Sequence, residues 1–343
     1  MSKPLERNQF PEISIVVPLY NEEENIPLLY QRLCLSLQAC GVTHQLVFVD
    51  DGSLDATPQL IDDLEKKDRQ VVAIHLSRNF GHQAAMCAGM EYALGKAVVL
   101  MDGDLQDPPE VLGEFIQLWR EGHDVVYAIR RNRKEGLLKR AGYYLFYRLL
   151  HAISDLDIPL DAGDFCLMDR KVVDVLVHLP ERLRFVRGLR TFVGFRQVGL
   201  SYERAERHAG KPKYNFRSLV GLATDGVISF SSYPLHLASY IGLLSVGVAI
   251  LLFVWVLVDA FLNKTAPRGW ASILVVMLFM NAIQLISLGI VGEYVRRIFL
   301  EAKRRPTYIV AHPSHAQDGR TFAALHPDHN GGSLQPNADL SPK

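Results

Sequence analysis

The chain has 343 residues, 49% of them hydrophobic, which leaves ample material for one large or two small cores and excludes a chain too polar to fold. Its 37 Lys and Arg balance 37 Asp and Glu, so the formal net charge is zero and gives no reason to expect a nucleic-acid partner. Charge is unevenly spread: up to about Asp225 it is frequent, whereas Gly226 to Val258 and Gly269 to Gly292 contain no Asp, Glu, Lys or Arg.

Ile13-Ser14-Ile15-Val16-Val17-Pro18 predicts a first strand, followed by Tyr20-Asn21-Glu22-Glu23-Glu24-Asn25, an acidic opening to a helix reaching about Ala39. Leu46-Val47-Phe48-Val49 predicts a second strand ending in Asp50-Asp51-Gly52-Ser53, then a helix from about Thr57 to Lys67 and a third strand at Val71 to Leu76. A helix near Gln83 to Leu94 leads to the strand Val98-Val99-Leu100-Met101, and a helix from Pro108 to Glu121 leads to Val125-Val126-Tyr127-Ala128. This alternation predicts an α/β fold, a mostly parallel sheet with flanking helices in right-handed crossovers. No Gly-x-Gly-x-x-Gly follows the first strand, which argues against an ordinary dinucleotide fold.

Acids gather where these strands end. Glu22 follows the first, Asp50 and Asp51 the second, and Asp102, Asp104 and Asp107 the apolar run Val98 to Met101. Ligands of open α/β sheets bind at the carboxyl ends of strands, so three acidic ends predict a cleft for something polar and cation-bearing. Asp102 and Asp104, two residues apart, can face one side, and hard oxygen ligands of this kind suit Mg²⁺ or Mn²⁺ shared with a substrate phosphate. Asp107 is expected to cap the next helix, with Pro108 opening it and Glu110 in its first turn. Glu22, Glu23 and Glu24 are expected to complement a helix dipole. Asp50 can accept a hydrogen bond from a base N–H, with Tyr20 flanking the same ring.

Farther along, Arg130, Arg131, Arg133, Lys134, Lys139 and Arg140 follow a strand end, and Ala141 to Ile153 is amphipathic with Tyr143, Tyr144, Phe146 and Tyr147. Such a segment suits a membrane interface, although a basic run is as often a solvated face or a general attraction to anionic lipid. A second interfacial segment, Tyr214 to Tyr233, leads into the first uncharged stretch. Each uncharged stretch exceeds the ~20 apolar residues a transmembrane helix needs. Arg296, Arg297, Lys303, Arg304 and Arg305 after the second predict a cytoplasmic C-terminal flank, and two spans return the N-terminal part to the cytoplasm. Met1 to Pro11 is polar, so the spans are expected to direct insertion. Cys34, Cys40, Cys87 and Cys166 lack metal-ligand spacing and are expected as thiols. From about Ser314 a His-, Asp-, Asn-, Gly- and Pro-rich tail is expected to be disordered. The resulting division is an N-terminal α/β domain over 1–213, a juxtamembrane helix over 214–233, transmembrane helices over 234–262 and 269–295, and a basic flank with tail over 296–343.

Val17-Pro18-Leu19-Tyr20-Asn21-Glu22, Val49-Asp50-Asp51-Gly52-Ser53, Asn79-Phe80-Gly81-His82 and Asp102-Gly103-Asp104-Leu105-Gln106-Asp107-Pro108-Pro109-Glu110, in this order, resemble the family 2 glycosyltransferases of GT-A fold. Asp161-Ala162-Gly163-Asp164-Phe165, Arg207-His208-Ala209-Gly210-Lys211-Pro212-Lys213-Tyr214 and the hairpin ending Gly292-Glu293-Tyr294 extend the resemblance to bacterial polyisoprenyl-phosphate glycosyltransferases, the bactoprenol glucosyltransferases and relatives of dolichol-phosphate mannose synthase. It runs from about Ile13 to Tyr308.

The resemblance implies a Rossmann-like GT-A sheet, interfacial helices and a two-helix transmembrane hairpin in the bacterial plasma membrane, multi-pass, with both termini and the catalytic domain cytoplasmic. It implies inverting transfer of a sugar, glucose first, from a UDP-sugar to polyisoprenyl phosphate, for cell-envelope glycans such as O-antigen. Pro18, Tyr20, Glu22, Asp50 and Ser53 would surround the nucleoside, with Asp102 near the ribose or the metal. Asp104, aided by Asp102 and Gln106, would hold Mg²⁺ or Mn²⁺ on the diphosphate, with Arg207 and Lys213 adding positive charge. Pro212 departs from the usual Ser or Thr, so a hydroxyl contact is lost there. Arg130, Arg140, Arg131 and Tyr144 would receive the acceptor phosphate. Asp164, with Asp161 as the fallback, is the candidate catalytic base on the acceptor side. A phosphate monoester, with a second pKa of about 6, needs little deprotonation, so Asp164 is as well placed to orient a reactant, or to hold a turn before Phe165. A tetramer is expected by analogy, and Asn281, Gln284, Gly289 and Gly292 suit helix association.

Other donors, an N-acetylhexosamine, galactose or aminoarabinose type, stay open, as does a non-catalytic membrane-anchored scaffold that binds nucleotide sugar. A processive polysaccharide synthase would need more spans and a Gln-x-x-Arg-Trp motif, and Trp119, Trp255 and Trp270 are not preceded by Arg.

Overall fold

The computed structural model describes residues 10–131, 162–182, 184–203, 233–263 and 269–312. Asp161, Arg140, Tyr144, Arg207 and Lys213 lie outside the described residues, as do the side chains of Arg130 and Arg131. The chain divides into two compact units, Met1–Leu105 with Tyr308–Lys343, and Gln106–Thr307.

In the first unit β1 (Ile13–Leu19) is buried along its whole length, as a strand covered on both faces must be. Beside it lie β2 (His44–Asp50), β3 (Val71–Leu76) and β4 (Ala97–Leu100), all parallel, in the order β4-β1-β2-β3. The crossovers are α1 (Ile26–Cys40), α2 (Thr57–Lys67) and α3 (His82–Tyr92). Gly41, in the left-handed region at φ 63°, ends α1 and donates its N–H to the Gln38 carbonyl.

The acids before α1 are used differently from the dipole expectation. The helix starts at Ile26 and has no acid in its first turn. Glu23 instead reaches across to the start of α2, where its Oε2 accepts the Ala56 N–H at 2.8 Å, while Asp55 Oδ1 accepts the Thr57 N–H at 3.0 Å. Orphan amides of one helix are thus satisfied by an acid preceding another.

A short antiparallel strand, β8 (Val310–His312), closes the outer edge of β3, and the Ser77 N–H donates to the Ile309 carbonyl at 2.8 Å. Tyr308, just before β8, is half-buried beside Glu91, and desolvation pushes its phenol far above the usual range.

In the second unit β5 (Val125–Arg131) pairs in parallel with β7 (Gln197–Glu203) and antiparallel with β6 (Ala162–Asp169). The helix expected from Pro108 is split into a 3₁₀ turn, Pro109–Val111, and α4 (Leu112–Arg120), neither of which has a side-chain cap. Asp107 is not the cap: it is fully buried and accepts a hydrogen bond from the Tyr202 hydroxyl. Phe165 packs against Phe115 at 4.7 Å between ring centroids and edge-on against Tyr202 at 5.9 Å, so Asp107 sits under an aromatic cluster.

After β6 come α5 (Arg170–His178) and α6 (Val186–Phe192). The end of α5 is closed by Arg184, whose guanidinium donates to the carbonyls of Leu176, Val177, Leu179 and Glu181 at 2.9–3.3 Å. Four acceptors on one half-buried cation are worth about 2 kcal/mol. Arg184→Met should therefore lower the unfolding midpoint by several degrees in thermal denaturation, and an unchanged midpoint would show that these bonds merely replace bonds to water.

Two long helices, α7 (Tyr233–Asn263) and α8 (Trp270–Ala302), pack against each other. Large apolar side chains along them are exposed, among them Leu243, Leu251, Trp255, Phe279 and Leu285. Taken on its described residues alone, neither helix is long and apolar enough to cross a membrane. Near the end of α8, both carboxylate oxygens of Glu301 accept the Arg182 N–H, at 2.9 and 3.0 Å, and the Arg182 guanidinium donates to the Arg305 carbonyl.

Candidate active site

Because β1, β2 and β4 are parallel, their carboxyl ends open on one edge of the first unit, with Leu19 registered against Asp50 and Leu100 against Val16. Two loops at that edge are tied together. Asn21, in the left-handed region at φ 51°, donates its N–H to Ser53 Oγ at 2.9 Å, and its side-chain oxygen accepts the Leu54 N–H at 2.8 Å. The Glu22 N–H donates to Thr57 Oγ1 at 2.9 Å, while the Glu22 carboxylate accepts from Asn25 Nδ2 at 2.6 Å. Tyr20, Glu22 and Ser53 are therefore held on one rim.

Asp50 and Asp51 take different duties there. Asp51 accepts the Phe80 N–H at 2.7 Å and the Gly81 N–H at 2.9 Å, so it clasps the Asn79-Phe80-Gly81-His82 loop instead of aiming outward. Burial pushes its carboxyl up despite these amides, and the Asp50 charge adds to the rise. Gly52, at φ 69°, makes the turn beneath this loop; a Cβ there would stand 2.6 Å from the Arg78 carbonyl carbon. Asp50 accepts the Ser53 N–H on Oδ1 at 2.9 Å, and its Oδ2 lies 3.4 Å from His75 Nδ1. Burial alone would raise its carboxyl, but the bonds from His75 and Ser53 outweigh that and hold it below the ordinary range. His75 in turn places Nε2 2.9 Å from Asp62 Oδ1. Its bond to Asp50 raises its pKa first, burial opposes that, and Asp62 adds to the rise.

The strand β4 delivers Asp102, Gly103 and Asp104. Asp102 is half-buried with Oδ1 3.3 Å from His82 Nε2, and Asp104 is buried. Gly103 lets the chain pass against β1, since a Cβ there would meet Leu19 Cδ2 at 2.5 Å. No cluster of three or more His, Cys, Asp or Glu with metal-holding geometry occurs among the described residues. Two carboxylates nevertheless fit Mg²⁺ or Mn²⁺ of the kind completed by substrate phosphates and water, which asks for one or two protein acids. Gln106 belongs to the second unit.

Asp164 is also in the second unit and does not hold a turn: it lies within β6. Its Oδ2 is 3.3 Å from Arg187 Nη2 on α6. One turn on, Arg190 is 1% exposed, donates to the Gly163 carbonyl at 3.5 Å and stacks over Tyr127 with its guanidinium carbon 5.0 Å from the ring centroid. Sequence reasoning gave no role to Asn21 and His82, which stand in the quoted motifs, and missed Asp62, His75, Arg187 and Arg190. Among the missed residues the sequence signal was His75, a polar residue inside the apolar run Val71 to Leu76.

Residues 14–177 match the profile described as Glycosyl transferase family 2. An uncharacterized glycosyltransferase of Bacillus subtilis is 45% identical over 316 residues, 92% of this chain and 98% of that relative. A prophage bactoprenol glucosyl transferase homolog of Escherichia coli is 41% identical, and the bactoprenol glucosyl transferase of Shigella phage SfV is 42% identical. Each alignment covers 87% of this chain and 98% of the relative.

Proposed function

The chain belongs to glycosyl transferase family 2, and on that premise we propose that it moves a sugar, glucose first, from a UDP-sugar to polyisoprenyl phosphate with inversion. The observation that carries the reading is Asp50, a buried carboxylate held ionised at the same sheet edge that receives Asp102 and Asp104. A uracil N3–H would donate to Asp50, with Pro18, Tyr20, Glu22 and Ser53 around the nucleoside. Asp104 and Asp102, with Gln106, would hold Mg²⁺ or Mn²⁺. When bound, the cation neutralises charge that develops on the departing diphosphate. Arg207 and Lys213 would add to that neutralisation.

In the transfer, an acceptor phosphate oxygen forms the new bond to the anomeric carbon as the bond to the UDP oxygen breaks. The attacking phosphate is already largely a dianion, so Asp164 would act by orienting a reactant, with Arg187 holding its carboxylate in place. Asp161 would share that duty. Arg130, Arg131, Arg140 and Tyr144 would bind the acceptor phosphate.

A lipid acceptor goes with a membrane anchor. Helices of 31 and 33 residues extend about 46 and 50 Å at 1.5 Å per residue, beyond the ~30 Å of a hydrocarbon core. Their exposed apolar side chains, the uncharged stretches of sequence and the basic flank at Arg296 to Arg305 support a hairpin in a bacterial plasma membrane with the catalytic part and both termini cytoplasmic. Assembly as a tetramer through α8 belongs to the same proposal.

The test is a screen of radiolabelled nucleotide sugars with membranes containing the protein and undecaprenyl phosphate, read by lipid extraction. The expected result is label in the organic phase with a UDP-hexose and none with the Asp104→Ala variant. Label confined to the aqueous phase would sink the lipid acceptor.

A further inference from the structure

We propose that His75, clamped between Asp50 and Asp62, is a positioning residue that aims the Asp50 carboxylate at the donor's base, so that the cationic ring binds nucleotide more tightly than the neutral one. The inference rests on the reading of Asp50 as the acceptor for a base N–H.

Asp50 and His75 are registered partners on adjacent parallel strands, which puts their side chains on the same face of the sheet. Asp50 is enclosed, with a side chain only 4% exposed, and its Oδ1 is taken by the Ser53 N–H. The orientation of Oδ2 therefore depends on His75 Nδ1, 3.4 Å away. The other ring nitrogen faces Asp62 Oδ1 at 2.9 Å. An imidazolium donates from both nitrogens and satisfies both acids, whereas a neutral ring has one proton to give. The shorter contact belongs to Asp62, so loss of a proton from the ring takes the donor away from Asp50. A nitrogen lone pair then faces a buried carboxylate, and Oδ2 turns from the direction the base requires.

The groups around the ring reinforce its charge. Asp50 faces it from β2 and Asp62 from α2, while Glu65, also on α2, is engaged by the Ala73 N–H two residues earlier on β3, and Asp51, next to Asp50, is engaged by the Phe80 and Gly81 amides. On β8, His312 stands opposite His75 in the sheet register. Asp50 and Asp62 thus bracket the ring, which holds its proton to higher pH than a free histidine does. Its contribution is present below that raised pKa and is lost as pH rises through it.

The test is UDP binding to the full chain in detergent micelles, measured calorimetrically from pH 6.5 to 8.5. Wild type should lose affinity about fivefold to tenfold as pH rises, the scale of one charge-assisted hydrogen bond. His75→Gln keeps an amide donor but cannot titrate, so its profile should be flat. Asp62→Asn alters a half-exposed side chain and removes one charge from the ring, so the fall should move to lower pH. Asp62→Asn carries the test by itself if His75→Gln does not fold. A wild-type profile retained in both variants, with Asp50→Ala abolishing binding, overturns the role of His75 and leaves the uridine reading standing. A wild type that binds no UDP at pH 6.5 overturns both.

Discussion

Asp104→Asn should reduce sugar transfer about a thousandfold, the scale on which enzymes depend on neutralising charge on a leaving group. The substitution keeps the size of a buried side chain and removes its charge, so the thermal midpoint should stay close to wild type. Initial rates of lipid-extracted product at saturating Mg²⁺ or Mn²⁺ measure the effect. Binding of UDP without added metal should change little, which separates loss of the cation from loss of the nucleoside pocket. Asp102→Asn should cost less, because Asp102 also faces His82 at 3.3 Å and, on the proposed reading, divides its role between metal and ribose. A rate within tenfold of wild type for Asp104→Asn would remove Asp104 from the metal site.

Gly52→Ala is expected to cost about 3 kcal/mol of stability, of which 1–2 comes from the left-handed backbone at φ 69°. The remainder is steric. The added Cβ would lie 2.6 Å from the Arg78 carbonyl carbon and 2.7 Å from the Asn79 nitrogen, both backbone atoms, so the loop must move. That loop donates the Phe80 and Gly81 amides to Asp51, one residue from Asp50, and UDP affinity should fall with stability. Gly41→Ala is the control: its φ is 63°, but no atom lies within 4 Å of the new Cβ. It should show the conformational cost alone, with UDP binding unchanged. Equal midpoints for the two variants would mean that the loop near Arg78 yields freely.

The frame of the first unit was legible because buried parallel strands write themselves as short apolar runs. The bounds expected for Thr57 to Lys67 and Val71 to Leu76 match α2 and β3 to the residue. Acids at strand ends were legible for the same reason, since each follows an apolar run whose length is set by the sheet. Their partners were not. Local capping rules assign Glu23 and Asp107 to helices next to them in sequence, yet Glu23 serves Ala56, 33 residues on, and Asp107 meets Tyr202, 95 residues on. His75 joins Asp50 and Asp62, 25 and 13 residues away, through a register that no local pattern records. Asp164 was singled out by resemblance, whereas Arg187 beside it comes from a helix 23 residues later.

The edge strand β8 bears on how the protein can be made. It pairs with β3 but follows both long helices in the chain, so the sheet of the first unit is finished by residues that leave the ribosome only after those helices. Until then the β3 edge is an open row of hydrogen-bonding groups that invites another chain. Expressing the first unit by stopping the gene ahead of α7 would omit this strand, together with Tyr308. A permuted gene that brings residues 308–312 directly behind the catalytic part restores the edge without the helices.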